Sequence, residues 1–329
     1  MPTGYKPLVA IQCLVYNHEP YLRDCFEGFV MQKTNFRFVA IVHDDCSTDH
    51  STDIIREYAV RYPDIFIPMY ETENQYSKHD GSLEHIMNEA TIATGARYIA
   101  VCEGDDYWTD PLKLQKQIDI LESNESLMAC CTNSSIVDKD GNILKNKFSR
   151  YVVKDNKQGR YTLRDYLNQV HAYPTASVVY RRAHFDEICA KSEVMRNPYM
   201  GDWTLWIAIL CFGDMYYLDE VTCAYRINPT SVTHTNTDVR RLGYAKENLK
   251  LMPAVASILP DDYQDIKDDL IHNTGWIWYN IANGYRHMHN YFMMTICALI
   301  CATKDPKLLY LKIKNRINRE YHNRREAIS

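Results

Sequence analysis

Short apolar runs alternate with amphipathic segments over the first 110 residues. Three of these runs have the length of a strand: Leu8–Val15, Phe38–Val42 and Ile99–Cys102. The segments Tyr21–Val30 and Ile54–Ala59 follow the first two runs and repeat apolar residues at helical spacing. This alternation predicts parallel strands joined by right-handed crossovers, so the carboxyl ends of the three strands should open on one crevice.

The pattern changes after residue 110 but continues to mix strands with helices. A polar stretch at Ile136–Lys157 contains the turn signal Asp140-Gly141, which indicates a hairpin or an excursion over the sheet. The pattern predicts helices near 112–121, 162–170 and 203–210, and strands near 127–131, 176–180, 216–218 and 221–225.

Beyond about residue 238 the pattern is entirely helical. The predicted helices are 242–258, 263–285 and 289–303, followed by a last one with apolar residues at four-residue steps from Leu309 to Tyr321. We therefore expect one α/β domain over 1–237 and a helical C-terminal extension over 238–329. From Lys304 to Ser329 there are eight Lys or Arg against three Asp or Glu. This last helix either packs on the domain as a solvated helix or lies on anionic lipid.

Three carboxylates follow the third predicted strand directly. Glu103, Asp105 and Asp106 come where a buried strand emerges, which is the edge where open α/β sheets bind ligands. Acidic side chains this close repel one another unless a cation neutralises them or water screens them. Hard oxygen ligands suit Mg²⁺ or Mn²⁺, so the segment predicts a divalent metal that carries a phosphorylated ligand.

A second acidic edge follows the strand at Phe38–Val42. Asp44 and Asp45 are suited to accept hydrogen bonds from a nucleotide base or from ribose hydroxyls. The alternative is that they cap the following helix, although one of the residues Ser47, Thr48 and Asp49 already offers a capping side chain. Tyr16 and Asn17 follow the first strand and belong to the same expected crevice.

Composition narrows the class of protein. The chain has 329 residues, 46% of them hydrophobic, and a net charge of −5, which argues against a general nucleic-acid binder. The eleven cysteines lie mostly in apolar runs without zinc-ribbon spacing, which predicts buried thiols in a reducing compartment. The residues after Met1 show no signal peptide, and the longest apolar stretch, 291–303, is too short to span a bilayer. A cytoplasmic protein is expected.

The motifs together resemble a known family. Val15-Tyr-Asn17, Asp44-Asp-Cys-Ser-Thr-Asp49 and Glu103-Gly-Asp-Asp106 are similar to the three signatures of family 2 glycosyltransferases. Gly201-Asp-Trp-Thr-Leu-Trp206 resembles the segment that carries their catalytic base, and 225–234 resembles a segment that closes the active site in many members. The similarity covers roughly the first 235 residues and rests on the order and spacing of the motifs.

The resemblance implies a fold and an activity. The fold would be GT-A, the Rossmann-like α/β fold of nucleotide-diphospho-sugar transferases. The activity would be metal-dependent, inverting transfer of a sugar from a nucleotide-diphospho-sugar to a glycan or lipid-linked acceptor in cell-surface polysaccharide synthesis. A UDP-linked donor is expected. Asp44 and Asp45 would face the base and ribose, Asp105 would hold Mn²⁺ or Mg²⁺ on the diphosphate, and Asp202 would deprotonate the acceptor hydroxyl.

Further residues have two interpretations each. Asp202 is either the base or the N-cap of the helix that follows it, and Trp203 either floors the acceptor site or packs in the core. His234 is either a contact of the donor, as a second metal ligand or on the diphosphate, or an exposed histidine, and Arg226 is a candidate to pair with phosphate. Two departures from the family pattern are Glu103, where Asp is usual, and Glu84–Asn88, where many members carry Ala-Arg-Asn. The phosphate-facing cation is therefore open among Lys78, His79 and His85.

Two other classes of protein compete with this interpretation. Another nucleotide-using α/β enzyme, such as a nucleotidyltransferase or a dehydrogenase, would also place acids at strand ends. Against it, the chain has no G-x-G-x-x-G after the first strand and no P-loop. A non-catalytic sugar-binding protein is the second rival, and the presence of both Asp105 and Asp202 argues against it.

Overall fold

The computed structural model describes residues 6–148, 157–168, 174–197, 201–228, 237–312 and 314. Within them, ten strands form one mixed sheet flanked by helices. The strands are β1 Val9–Val15, β2 Phe38–Asp44, β3 Phe66–Tyr70, β4 Tyr98–Val101, β5 Tyr107–Trp108, β6 Leu127–Val137, β7 Ile143–Lys145, β8 Gly159–Tyr161, β9 Val178–Arg181 and β10 Asp214–Arg226. The helices are α1 Leu22–Val30, α2 Ser51–Arg61, α3 Ser82–Thr94, α4 Lys113–Ser123, α5 Leu163–Asn168, α6 Phe185–Val194, α7 Gly201–Leu210, α8 Asp238–Ile258, α9 Gln264–His272, α10 Gly275–His287 and α11 Tyr291–Lys304.

The first half of the sheet is parallel, as the alternation of strands and helices predicts. Strand β1 lies between β2 and β4, and β2 pairs with β3, all in parallel. The pairing of Val15 with Asp44 aligns the carboxyl ends of β1 and β2. Those ends therefore lie at one edge of the sheet, where the acidic residues follow.

The apolar runs are continuous because the sheet is covered on both faces. Along β1, Val9 and Ile11 pack with Phe26 and Phe29 of α1 on one face. Ala10, between them in sequence, packs on the other face with residues of α3. All eleven cysteines are free thiols, and eight of them are buried, which confirms the prediction of buried, unpaired thiols.

The second half of the sheet is mixed. The pairs β4–β9 and β9–β6 are antiparallel, whereas β6 and β10 run parallel. The predicted pair of strands near 216–218 and 221–225 is one thirteen-residue strand, β10, with register shifts around Leu218–Val221 and Val221–Cys223. A bulge bends a strand without ending it, so the polar residues Asp219 and Glu220 suggested a break that does not exist.

The C-terminal region is helical, as predicted, but its helix boundaries differ. The single helix expected over 263–285 is two helices, α9 and α10, separated at Asn273 and Thr274. Asn and Thr compete for local backbone hydrogen bonds, so they interrupt a helix while the apolar pattern continues across the break. Residues 306–312 are helical, and the predicted helix beyond 314 lies outside the described residues. Among the described helices, none combines the length and apolar character that crossing a membrane needs.

The chain divides into two compact units. One comprises Met1–Cys189 and Leu205–Pro229, and the other comprises Ala190–Thr204 and Thr230–Ser329. The second unit thus includes a segment from before the boundary expected at 237. Within that unit the ammonium of Lys191 donates to the carbonyl of Ile258 at 2.8 Å, which ties the inserted segment to the end of α8.

Candidate active site at the ends of the parallel strands

The acidic segments that follow β2 and β4 are both hydrogen-bonded to the end of β1. The amide of Asp45 donates to the carbonyl of Val15 at 2.9 Å, on the side of β2. The amide of Gly104 donates to the adjacent carbonyl, that of Leu14, at 3.0 Å, on the side of β4. Because both segments bond to neighbouring carbonyls of one strand, the structure brings the two sequence-predicted acidic edges together.

Asn17 connects the loops that follow β1 and β2. Its side-chain Oδ1 accepts a hydrogen bond from the amide of Thr48 at 2.7 Å, and its own amide donates to the hydroxyl of Ser47 at 3.0 Å. Its φ of 55° lies in the left-handed region, which Asn tolerates better than most residues. Asn17 therefore shapes the mouth of the site, and the neighbouring ring of Tyr16 is 46% exposed there.

Asp44 is buried and holds the start of the β2–α2 connection. Its Oδ1 accepts from the amide of Ser47 at 3.0 Å, and its Oδ2 accepts from the hydroxyl of Thr52. A second carboxylate, Asp49, accepts from the amide of Ser51 at 2.9 Å at the start of α2. Burial opposes the ionisation of Asp49, but hydrogen bonds from Ser51 and from the Glu19 amide outweigh it and lower the pKa of Asp49. Asp49 thus bonds to the first amide of α2, whereas Asp44 bonds to the amide of Ser47, ahead of the helix, and to the side chain of Thr52.

Asp45 has different partners from its neighbour. Its two carboxylate oxygens accept the backbone amides of Gln75 at 2.6 Å and Tyr76 at 3.0 Å. The side chain therefore fixes the loop after β3, which also places Glu71 at 3.3 Å from the buried imidazole of His43. Sequence reasoning missed this loop, because no local spacing relates Asp45 to residues thirty positions later.

The turn that carries Asp105 rests directly on the loop after β1. A Cβ atom on Gly104 would lie 2.7 Å from Nδ1 of His18, so the close approach requires glycine. Burial lowers the pKa of His18, and the charges of Asp105 and Asp49 partly oppose this effect. The Asp105 side chain is half-buried, and its carboxylate accepts no hydrogen bond from the residues that the structure describes. Its oxygens are therefore available to a ligand.

Arg226 holds the same turn from the end of β10. Its amide donates to Oδ1 of Asp106 at 2.8 Å, and its Nε donates to the carbonyl of Asp105 at 2.9 Å. The other guanidinium nitrogens donate to the carbonyl of Lys139 at 3.0 Å and to the carboxylate of Asp24 at 2.9 Å. The Arg226 side chain is only 2% exposed. It binds the turn rather than presenting a free guanidinium to a phosphate.

The candidates for a phosphate-facing cation have other neighbours. The ammonium of Lys78 pairs with Glu73 and donates to Oε1 of Gln75 at 2.9 Å. The imidazole of His85 lies 3.7 Å from Glu89 on the exposed side of α3, and His79 is an exposed residue with a φ of 52°. His234 lies outside the described residues.

The candidate base belongs to the second compact unit. Asp202 is exposed and is the second residue of α7, in the first helical turn. A carboxylate there is stabilised by the helix dipole. Trp203, next to it, is half-buried.

Residues 13–189 match the model of the protein family described as glycosyl transferase family 2, and this match covers more than half of the chain. The chain belongs to glycosyl transferase family 2. The prediction of a family 2 glycosyltransferase domain is confirmed, and this membership disfavours the nucleotidyltransferase and dehydrogenase interpretations.

Other proteins that are similar to this chain, in sequence or in structure, agree with that assignment. The chain is 32% identical to the uncharacterized protein Rv1520 of Mycobacterium tuberculosis over 239 residues, 71% of this chain and 62% of that relative's own length. It is 27% identical to the uncharacterized glycosyltransferase MJ1057 of Methanocaldococcus jannaschii, covering 68% and 71% of the two chains. The crystal structure of S. aureus TarS 1-349 aligns with a TM-score of 0.57 at 12% identity, covering 91% and 92%. This likeness confirms the GT-A fold.

The chemistry of this glycosyltransferase site fits a divalent metal. Among the described residues, no three His, Cys, Asp or Glu side chains are grouped as a metal cage. Mg²⁺ is usually held by one or two carboxylates together with substrate phosphates rather than by a cage of protein ligands. The open carboxylate of Asp105, a hard oxygen donor, suits that mode of binding.

Proposed function

We propose that this family 2 glycosyltransferase transfers a sugar from a UDP-linked donor to a hydroxyl of a glycan or lipid-linked acceptor, with inversion and with a divalent metal. One observation carries the proposal: the Asp105 carboxylate is free of hydrogen bonds from the described residues and stands on a turn held by β1 and Arg226. A carboxylate that is rigidly positioned but unsatisfied is suited to a ligand that arrives with the substrate.

The nucleotide is assigned to the ends of β1 and β2. Asp44 and Asp45 each bond to protein donors, which fixes their orientation and leaves further lone pairs for a base N–H or ribose hydroxyls. Tyr16 offers an exposed ring face beside them, and Asn17 holds the loop in place. Asp106 and Arg226 contribute to donor binding through the turn that they hold.

Asp105 would hold Mn²⁺ or Mg²⁺, and His234 is proposed as a second ligand from the sequence alone. A bound metal ion would stabilise the negative charge that develops on the diphosphate leaving group. This chain's own contribution is to fix the position of the Asp105 oxygens. It does so through the backbone bonds of Gly104 and the guanidinium of Arg226.

Asp202 is proposed as the general base and Trp203 as part of the acceptor site. The Asp202 carboxylate is exposed, so an acceptor hydroxyl has access to it. Proton removal by Asp202 makes that oxygen a stronger nucleophile toward the anomeric carbon. Attack opposite the leaving diphosphate inverts the configuration at that carbon.

The biological setting is proposed from the family and the chain. We assign the transferase to residues 1–237 and a helical extension to 238–329, with the protein acting in cell-surface polysaccharide synthesis at the cytoplasmic side. The choice of UDP has support from one structural neighbour, S. aureus TarS 1-349, whose crystal structure was determined in complex with UDP.

Titration calorimetry of UDP with and without Mn²⁺ tests the central assignment. We expect Asp105→Ala to abolish the Mn²⁺-dependent part of UDP binding and to abolish transfer. Asp140→Ala is the matched control, because Asp140 is an exposed hairpin carboxylate whose side chain pairs with the adjacent Lys139. Metal-dependent binding that is unchanged in Asp105→Ala would refute the assignment.

A further inference from the structure

Helix α11 exposes a stripe of large apolar side chains. On its inner side, Cys297 and Cys301 are buried. On its outer side, Phe292 is 74% exposed, Ile296 36% and Leu299 63%. These three residues are four and three positions apart, so they lie on one face of the helix.

The chemical character of α11 is unusual for a helix with an exposed face. From Tyr291 to Thr303 it contains no charged residue, and only Lys304 at its end is ionised. A surface helix ordinarily carries charged or polar residues opposite its buried stripe, whereas a helix that is apolar all round is buried. The outer face of α11 therefore has the composition of a surface that is covered by something else.

The residues around α11 carry an excess of positive charge, which indicates what kind of surface could cover its apolar stripe. No Asp or Glu occurs from residue 270 to residue 304. From 270 to 329 there are nine Lys or Arg against three Asp or Glu, in a chain whose net charge is −5. Arg286 precedes the helix, and the exposed residues Lys304 and Lys307 follow its apolar stripe. An apolar stripe with cations at both ends suits an anionic lipid surface.

We propose that α11 docks in the plane of an anionic membrane, with Phe292, Ile296 and Leu299 inserted between the headgroups. The sequence left the basic helix after Lys304 open between packing on the domain and lying on anionic lipid. We assign the apolar part of the lipid contact to the exposed stripe of α11 instead. Symmetric pairing of α11 with a second copy is disfavoured, because it would bring the basic ends of two identical surfaces together. Peripheral docking is independent of the proposed donor and base chemistry.

Co-sedimentation of the full-length protein with vesicles tests the proposal. We expect binding to phosphatidylglycerol vesicles at low salt and little binding to phosphatidylcholine vesicles. The double variant Phe292→Gln/Leu299→Gln should bind at least about tenfold more weakly, because it loses the apolar contribution. Its control is Val60→Gln, since Val60 is an isolated apolar residue on α2 that is 83% exposed.

A second pair of variants tests the charge. Lys304→Glu/Lys307→Glu should weaken binding by about fivefold or more for each lysine, whereas the exposed Lys33→Glu should change it little. All four variants alter exposed positions, so their melting temperatures should match that of the unaltered protein. A folded protein that ignores phosphatidylglycerol, or a Phe292→Gln/Leu299→Gln variant that binds it normally, overturns the proposal. A dimer in solution that this variant dissociates, without vesicle binding, would assign the stripe to self-association instead.

Discussion

At the scale of single residues, Arg226 joins separate segments of the candidate site, because it bonds to Asp24, Asp105, Asp106 and Lys139. Its guanidinium donates to the carbonyls of Asp105 and Lys139, and Arg226→Gln loses both bonds. Leaving a buried polar group unsatisfied costs about 1–3 kcal/mol, and Lys139 is exposed to water, so we expect the variant to lose about 1–3 kcal/mol of stability. Because the Asp105 turn loosens, Mn²⁺-dependent UDP affinity should fall at least about tenfold, as measured by calorimetry.

Two variants separate this positioning role from general destabilisation. Asp24→Asn removes only the ion pair with a carboxylate that is 58% exposed, which should cost less than about 1 kcal/mol and leave UDP affinity nearly unchanged. Arg226→Lys keeps the charge but not the planar fork, so it should rescue affinity only in part. Normal UDP affinity in a folded Arg226→Gln protein would contradict the role.

Lys113 gives a pH-dependent prediction. Its side chain is fully buried over the ring of Trp108, and burial lowers its pKa to about 8, against the opposing influence of Cys223, Cys102, Cys130 and Asp110. The unfolded lysine has a pKa of about 10.4, so between the two values the unfolded chain binds more protons and stability rises with pH. Below pH 8 the cost of the buried charge is at its full size, about 3 kcal/mol.

The test compares the unaltered protein with Lys113→Met between pH 7 and 8.5. The free energy of unfolding should rise by about 1 kcal/mol more in the unaltered protein than in the variant over that window. Higher pH is avoided, because burial raises the pKa of Cys130 to about 12, and the unfolded thiol would then ionise first and lower stability. Equal slopes for the two proteins would show that Lys113 does not titrate in this range.

The residue scale also shows what a sequence can and cannot indicate about the site. Asp44, Asp45 and Asp105 were identifiable because each follows a buried strand, and strand ends meet at one edge. The donors to Asp45 could not be identified from the sequence, because Gln75 and Tyr76 are distant in sequence and are brought next to Asp45 only by folding. Arg226 was identified as a site residue, but its partners are up to 202 positions away, so its structural role was not visible.

At the scale of elements, the contact between α1 and β5 supports the acidic turn. A Cβ atom on Gly28 would lie 2.9 Å from the backbone nitrogen of Trp108 and 3.0 Å from its carbonyl oxygen. Neither backbone atom can turn aside as a flexible side chain would, so Gly28→Ala should separate the two elements. We expect a net loss of about 1–2 kcal/mol, since overpacking exceeds the gain in helix propensity.

Urea unfolding measures this loss. Gly201→Ala serves as the control for stability, because a Cβ atom at Gly201, also in a helix, meets nothing within 4 Å. The control should be neutral or slightly stabilising. Equal stabilities of the two variants would mean that α1 accommodates the methyl group without moving.

Strands and helices could be predicted where the apolar residues follow a single clear pattern along the chain. The buried parallel strands have uninterrupted apolar runs because both faces of the sheet are covered, and their predicted bounds differ from the structure by one or two residues. The errors occur where the apolar pattern and the local backbone disagree. Strand β10 continues through polar residues at its register shifts, and the helix predicted over 263–285 ends at Asn273 while the apolar pattern continues.

At the scale of the whole molecule, the boundary predicted from the sequence pattern differs from the division of the chain into two compact units. The change from mixed to helical pattern indicated a boundary at 237. The contacts also assign Ala190–Thr204, including Asp202, to the helical unit. Such an assignment depends on long-range contacts, such as that between Lys191 and Ile258, which no local pattern records. The nucleotide is assigned to residues of the first unit and the base to Asp202 of the second, so nucleotide binding and the proposed proton transfer can be tested separately.

The variant Asp202→Asn separates proton transfer from nucleotide binding. The amide cannot accept the proton of the acceptor hydroxyl, so kcat should fall by about 10²–10⁴-fold if Asp202 is the base. UDP affinity with Mn²⁺ should be unchanged, because Asp202 is assigned to the acceptor and to neither the nucleotide nor the metal. Stability should fall by about 1 kcal/mol or less, since Asp202 is exposed and Asn keeps the size of the side chain and a hydrogen-bonding oxygen while losing the charge in the first turn of α7.

The control for the charge effect is Asp238→Asn, because Asp238 is a half-buried acidic residue in the first turn of α8 in the same unit. It should show a similar small change in melting temperature with normal turnover. The two variants together distinguish proton transfer from helix stabilisation, since only the former predicts a large loss of kcat at position 202 alone. Near-normal kcat in Asp202→Asn would leave the first-turn carboxylate with a structural role and would remove the main support for an inverting mechanism with this base.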